Sequence, residues 1–199
     1  MRGFIVCLPI KEFDVRRYLL LLTLAIGLGF PTASSATLVQ TFSMSELVRE
    51  SQDVIRGYVV QIQPLYDTVQ KHIYTHTTIE VQEDIRTGST AKRRIVVRQL
   101  GGALHGIETT LSGNAQLGIG EEVVLFARTD GAFHYVVGMA QGKYTVTRTK
   151  AGKPLLGRSL AGLRGLKRSA IALPQAPDSL SLDELRRQVR SAQKGGSGQ

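Results

Sequence analysis

Apolar and polar positions alternate most clearly over 72–85 (HIYTHTTIEVQEDI). Ile73, Thr75, Thr77, Ile79 and Val81 fall on one face, and His72, Tyr74, His76, Thr78, Glu80 and Gln82 on the other. A period of two sustained over that length predicts a β-strand. The flanking segments 53–62 (DVIRGYVVQI) and 94–100 (RIVVRQL) are rich in β-branched residues and predict two more, with Pro64 ending the first and Gly101-Gly102 the last. Residues 107–111 predict a short strand and 118–120 a turn. Residues 122–129 (EVVLFART) contain the unbroken apolar run 123–127 and read as a strand buried on both faces. Asp130-Gly131 signals a hairpin into 133–137, GMAQG at 138–142 interrupts, and 143–149 (KYTVTRT) closes the set.

Two helices frame these strands. Ser43-Met44-Ser45-Glu46 has the form of a capping box opening a helix over 44–52, and Ser181-Leu182-Asp183-Glu184 opens another over 182–192 with Leu182, Leu185 and Val189 on one stripe. Strands at short intervals with no strand-helix-strand rhythm predict a mainly β fold. The expected form is a small antiparallel OB-like barrel of 5–7 strands, with a short N-terminal helix and a C-terminal helix. The barrel domain is expected over 37–149, a loosely ordered basic strap over 150–180, the second helix over 181–193 and a disordered tail over 194–199.

The N-terminal pattern is of another kind. Residues 18–30 (YLLLLTLAIGLGF) are an apolar run behind Arg16-Arg17 and ahead of Ala33-Ser34-Ser35-Ala36. A basic end, a short apolar stretch and small residues predict a signal peptide over 1–36, cut after Ala36, in a segment short of the ~20 residues that span a bilayer. Glu12 and Asp14 are foreign to a positively charged leader end, so translation is expected to start near residue 15. The expected location is therefore periplasmic or extracellular, by general secretion. The one cysteine, Cys7, precedes that start, leaving the exported part cysteine-free. That excludes disulfide scaffolds, thiol nucleophiles and cysteine zinc sites.

Charge changes the picture less than its total implies. The chain carries a formal +9, but residues 37–142 hold nine basic and eleven acidic residues, whereas 143–194 hold twelve and three. The barrel is near neutral and the excess lies in its C-terminal appendage. A basic groove interleaved with aromatics, as in single-strand binders, is missing from the strands, so nucleic acid is not the expected partner. An envelope protein, an acidic polymer or an exported protease fits better.

No complete active site can be assembled from the sequence. His72 and His76 would chelate a metal from a helix, but on a strand positions four apart stand ~13 Å from each other. No metal and no cofactor are expected. No G-x-S-x-G elbow surrounds Ser89 or Ser112, the carboxylate pairs Glu83-Asp84 and Glu121-Glu122 point to opposite strand faces, and the glycines at 118–120 precede a strand instead of a helix. His105 and His134 could meet a carboxylate only through the tertiary fold.

Four segments in order, DVIRGYVV, IYTHTTIEVQEDIRTG, GIGEEVVLF and VVGMAQGKYTV, resemble a family of exported bacterial proteins of uncharacterised activity with an OB-like barrel, over about residues 44–149. The resemblance implies export and a small barrel, and brings no catalytic residue. The strand layout is also distantly similar to netrin-type domains and tissue inhibitors of metalloproteinases. Those inhibitors chelate zinc through an N-terminal cysteine, whereas an exported chain here begins near Thr37 without one. The expectation is a non-enzymatic exported binding module of the bacterial envelope, with Tyr74, His76, Gln141 and Lys143 as surface contacts. The alternatives are an inhibitor or companion of an exported protease or hydrolase, and a small hydrolase using His105 and His134.

Overall fold

The computed structural model describes residues 38–160, 164–166 and 180–196. The signal peptide, its cleavage site, the translation start, Cys7, much of the basic strap and residues 197–199 lie outside them. Strands account for 51% of the described residues. Their order is β1 Leu38–Gln40, β2 Asp53–Asp67, β3 His72–Asp84, β4 Arg93–Leu100, β5 Gly102–Leu104, β6 Ile107–Thr109, β7 Glu122–Asp130, β8 Phe133–Val136, β9 Lys143–Arg148, β10 Pro154–Gly157, β11 Arg164–Leu166 and β12 Leu180–Ser181. The helices are α1 Met44–Glu50 and α2 Leu182–Gly196.

Five strands close a barrel in the order β7-β2-β3-β4-β8, with β8 returning to β7. The expected antiparallel ring is corrected at one seam: β4 and β8 run parallel where Val97 faces His134. Parity requires this, because directions cannot alternate all the way round a closed ring of five. β9, β10 and β12 extend the sheet outward from β7.

Each face of the barrel wall has its own core. Inside, Ile55, Val59, Ile79, Val81, Ile95, Val97, Val123 and Leu125 fill the lumen. Outside, Val54, Val124, Phe126, Tyr144, Val146 and Leu156 pack beneath Leu47 and Val48 of α1 and Leu182, Leu185 and Val189 of α2. β7 therefore is buried on both faces, as its unbroken apolar run requires. Gly57 allows the closest approach of β2 to β3, since a Cβ there would stand 2.5 Å from the Glu80 carbonyl oxygen.

The capping box at α1 is complete: the Ser43 N–H donates to Glu46 Oε2 at 2.7 Å, and the Glu46 N–H donates to Ser43 Oγ at 3.3 Å. Three sequence expectations change. β2 runs through Pro64 to Asp67, because β7 pairs with it only as far as Tyr58. Beyond that point β2 is an edge strand, where a missing N–H costs the ladder nothing. The expected strap also contributes structure: Pro154–Gly157 pairs with β9 and buries Leu156, a run of four residues too short to show a period. α2 continues to Gly196.

Candidate functional site

The helices cover one side of the barrel wall, and the outer face of β3, β4 and β8 lies on the other. There the alternation of β3 presents Tyr74 and His76, and that of β4 presents Arg98. The β7–β8 hairpin brings Phe133 against them. The Arg98 guanidinium lies 3.8 Å from the Tyr74 ring centroid and 5.1 Å from that of Phe133, and the His76 and Phe133 rings are 4.8 Å apart.

Asp67, at the end of β2, anchors this cluster. It accepts from Arg98 Nη2 at 2.5 Å and from the Val69 and Gln70 N–H groups in the turn that follows. The Gln70 N–H and then Arg98 hold its carboxyl below the usual aspartate range. Burial works against the charge on Arg98, but Asp67 and the Tyr135 hydroxyl outweigh it and keep the guanidinium firmly protonated. His76 is pushed below the ordinary histidine value, first by burial and then by the Arg98 charge, with Asp67 opposing. His76 Nε2 and Arg98 Nε are buried without a protein hydrogen-bond partner.

Of the four contact residues expected from the sequence, Tyr74 and His76 meet in this cluster. Gln141 and Lys143, expected at the surface, are buried. The 3-10 turn Met139–Gly142 rotates Gln141 inward, where its amide donates to the Gln40 and Gly138 carbonyls and accepts from the Phe42 N–H at 2.9 Å. It ties the segment entering α1 to the barrel. Lys143 Nζ donates to Glu121 Oε1 at 2.5 Å and to Thr145 Oγ1 at 2.7 Å. Burial would raise the Glu121 carboxyl, but Lys143, Thr145 and the Gly118 N–H outweigh it and hold it low.

The residues missed by the sequence reading are Asp67, Arg98, Phe133 and Tyr135. Alternation along β4 places Arg98 outward, but only the strand register sets it beside Tyr74.

The histidines are dispersed. His72 and His105 line a cavity between two hairpin ends, while His134 approaches Asp53, at the other end of β2, with Nε2 3.5 Å from Oδ2. Burial holds His134 below the ordinary value, against the pull of Asp53. His105 and His134 thus do not converge. Among the described residues no three His, Asp or Glu side chains gather as a metal site, and no helix is long and apolar enough to cross a membrane.

The basic C-terminal segment is tied into the barrel by ion pairs. Glu122, 5% exposed, accepts from Arg56 Nε at 2.7 Å, from Arg148 Nη1 at 2.8 Å and from the Tyr58 hydroxyl. Glu83 takes a two-pronged contact from Arg186 of α2, at 2.9 and 2.7 Å. These arginines serve the fold before they serve any external partner.

In comparisons with known proteins, no family model, no curated protein and no solved structure matches this chain.

Proposed function

We propose that this protein is a non-enzymatic binding module exported to the bacterial envelope, and that the outer face of β3 and β4 docks a protein partner through Tyr74, His76, Arg98 and Phe133. The observation that carries this is the Arg98 guanidinium close to the Tyr74 and Phe133 rings, with His76 against Phe133, on the outer face of β3 and β4. Tyrosine and arginine dominate interface hot spots, where rigid aromatic area and a multidentate cation bind at little entropic cost. The mixed charge of the face, with Arg94 beside Glu80 and Arg98 beside Asp67, favours a protein over a polyanion.

An OB-like reading of the barrel supports the same face. Its first strand, β2, pairs with the second and fourth, and the third closes on the fifth. In OB barrels the second and third strands, with the loops joining strands one to two and four to five, form the binding surface. Here those loops are residues 68–71 and 131–132, which flank the cluster. The resemblance to exported barrel proteins and the apolar leader support the envelope as the setting.

The test is co-purification from the envelope with wild type and with a Tyr74→Ala/Arg98→Ala variant whose fold is checked by circular dichroism. A stoichiometric partner lost on substitution is the expected result. A partner retained by the double variant refutes the face. Binding only to acidic polymer, falling steeply with salt, assigns the contact to the basic segment instead.

A further inference from the structure

The β2–β3 hairpin end and the β5–β6 hairpin enclose a second feature, a cavity of about 510 Å³ that lies outside the aromatic-arginine cluster. Its walls are Tyr66, Ile73, Leu104 and Ile107. Tyr66 is 50% exposed and Ile107 64%, so two large apolar side chains meet in one concavity without belonging to either core. The remaining polar lining is Lys71, His72, His105 and Thr109, every ionisable nitrogen of it basic and no carboxylate among it. Lys71 and His105 also adopt left-handed backbone, at φ 59° and 50°, and only Met139 does so besides them among the described non-glycine residues. At His105 the cause is the turn itself, a two-residue β5–β6 connection in which Gly106 also has φ 79°. Both hairpin tips use left-handed backbone, and each sets a basic side chain at the cavity.

An apolar trough with a purely basic rim fits an anion with an apolar body. The volume lies within the range of pockets that take one small molecule, which favours a single acyl chain over a two-chained lipid. We infer that this cavity binds a medium-chain acyl carboxylate, its chain against Tyr66, Ile73, Leu104 and Ile107 and its carboxylate at Lys71 and His105. The cavity uses side chains other than Tyr74, His76, Arg98 and Phe133, although Lys71 lies in the 68–71 loop that flanks that cluster.

Calorimetric titration of the full-length chain with hexanoate, octanoate and decanoate below their micellar concentrations tests this. Variants in the same full-length background cancel any binding elsewhere on the chain. Saturable one-site binding is expected, tightening about fourfold per added methylene. Decanol should bind at least tenfold more weakly than decanoate, Ile107→Asp should abolish binding and Lys71→Glu should weaken it at least tenfold, while Arg49→Ala, an exposed cation on α1, leaves it intact. Ile107 is exposed, so its variant is expected to fold. Absence of saturable binding, equal affinity for the Ile107→Asp chain, or indifference to Lys71→Glu overturns the assignment. So does sedimentation showing that Ile107→Asp breaks a dimer, which would make the cavity a contact between copies.

Discussion

Arg98 stands with its guanidinium carbon 3.8 Å from the centre of the Tyr74 ring, although the two are not register partners. Arg98 lies opposite His76, and Tyr74 opposite Leu100. The contact is diagonal across β3 and β4, a separation that a long side chain and an aromatic ring can bridge. Asp67 and Tyr135 hydrogen-bond the guanidinium, and the Phe133 ring centre lies 5.1 Å from it.

This geometry has a measurable coupling. A double-mutant cycle of Tyr74→Leu and Arg98→Met, followed by urea denaturation, should return an interaction energy of about 0.5–1 kcal/mol, as for cation–π pairs near a surface. Additive single effects would mean that the stacking contributes nothing to stability. Partner binding in the same variants then reports on the docking face separately from folding.

The imidazoles of His76 and His134 make stability depend on pH near neutrality. Both are held below the ordinary histidine value by burial, so the unfolded chain binds protons more readily than the folded one. Their contribution is complete above the unfolded value of about 6.5 and is lost as pH falls through the lower folded values. The melting temperature should therefore decline between pH 7.5 and 5. His76→Phe, which keeps a ring against Phe133, should flatten that decline. A melting temperature unchanged across the range in the wild type would contradict the burial of these rings.

Much of the architecture was legible, and the failures have physical causes. The alternation over 72–84 gives β3 and its outward Tyr74 and His76, the apolar run after Glu121 gives a strand covered on both faces, and Ser43 with Glu46 gives the start of α1. Each is a local property of consecutive residues. The parallel closure of β4 on β8 is not local, and it is what delivers Phe133 to Arg98. Gln141 and Lys143 were misplaced because a single 3-10 turn reverses which side of the chain faces inward, and glycines around a turn signal its presence without its rotation. Charge was only partly legible. Within the basic excess after residue 142, Arg148 and Arg186 pair with Glu122 and Glu83 of the barrel, partners that only the tertiary fold supplies.

Glu122 provides the acid-side prediction. Burial alone would raise its carboxyl, but Arg148 and Arg56 outweigh that and hold it below the usual glutamate range. A depressed folded value means the stabilisation is present above the unfolded value of about 4.3 and is lost as pH falls through the folded one. Glu122→Gln should cost about 2–3 kcal/mol at pH 7, because it leaves the Arg56 charge inadequately paired at a half-buried position. It should also reduce the loss of stability between pH 5 and 3. Equilibrium denaturation at several pH values checks both effects, and a variant whose acid sensitivity matches wild type would show that other carboxylates govern it.

On its charge pattern alone α2 would look removable, but its packing says otherwise. Leu185 and Val189 are 0% exposed and Leu182 is 2% exposed, all packed over the outer face of the barrel with Val124, Phe126 and Tyr144. Arg186 meanwhile grips Glu83 at the end of β3. Burying three aliphatic side chains matters more than a half-exposed ion pair, so Leu185→Ala should cost about 2–5 kcal/mol and Arg186→Ala about 1. A chain ending at residue 179 loses the helix altogether and uncovers the apolar outer wall of β7 and β9. It should show no cooperative melt, or aggregate on cooling, when followed by circular dichroism and light scattering. A cooperative melt within a few degrees of the full-length chain would make α2 an accessory element, and would return its arginines to the pool available for an outside partner.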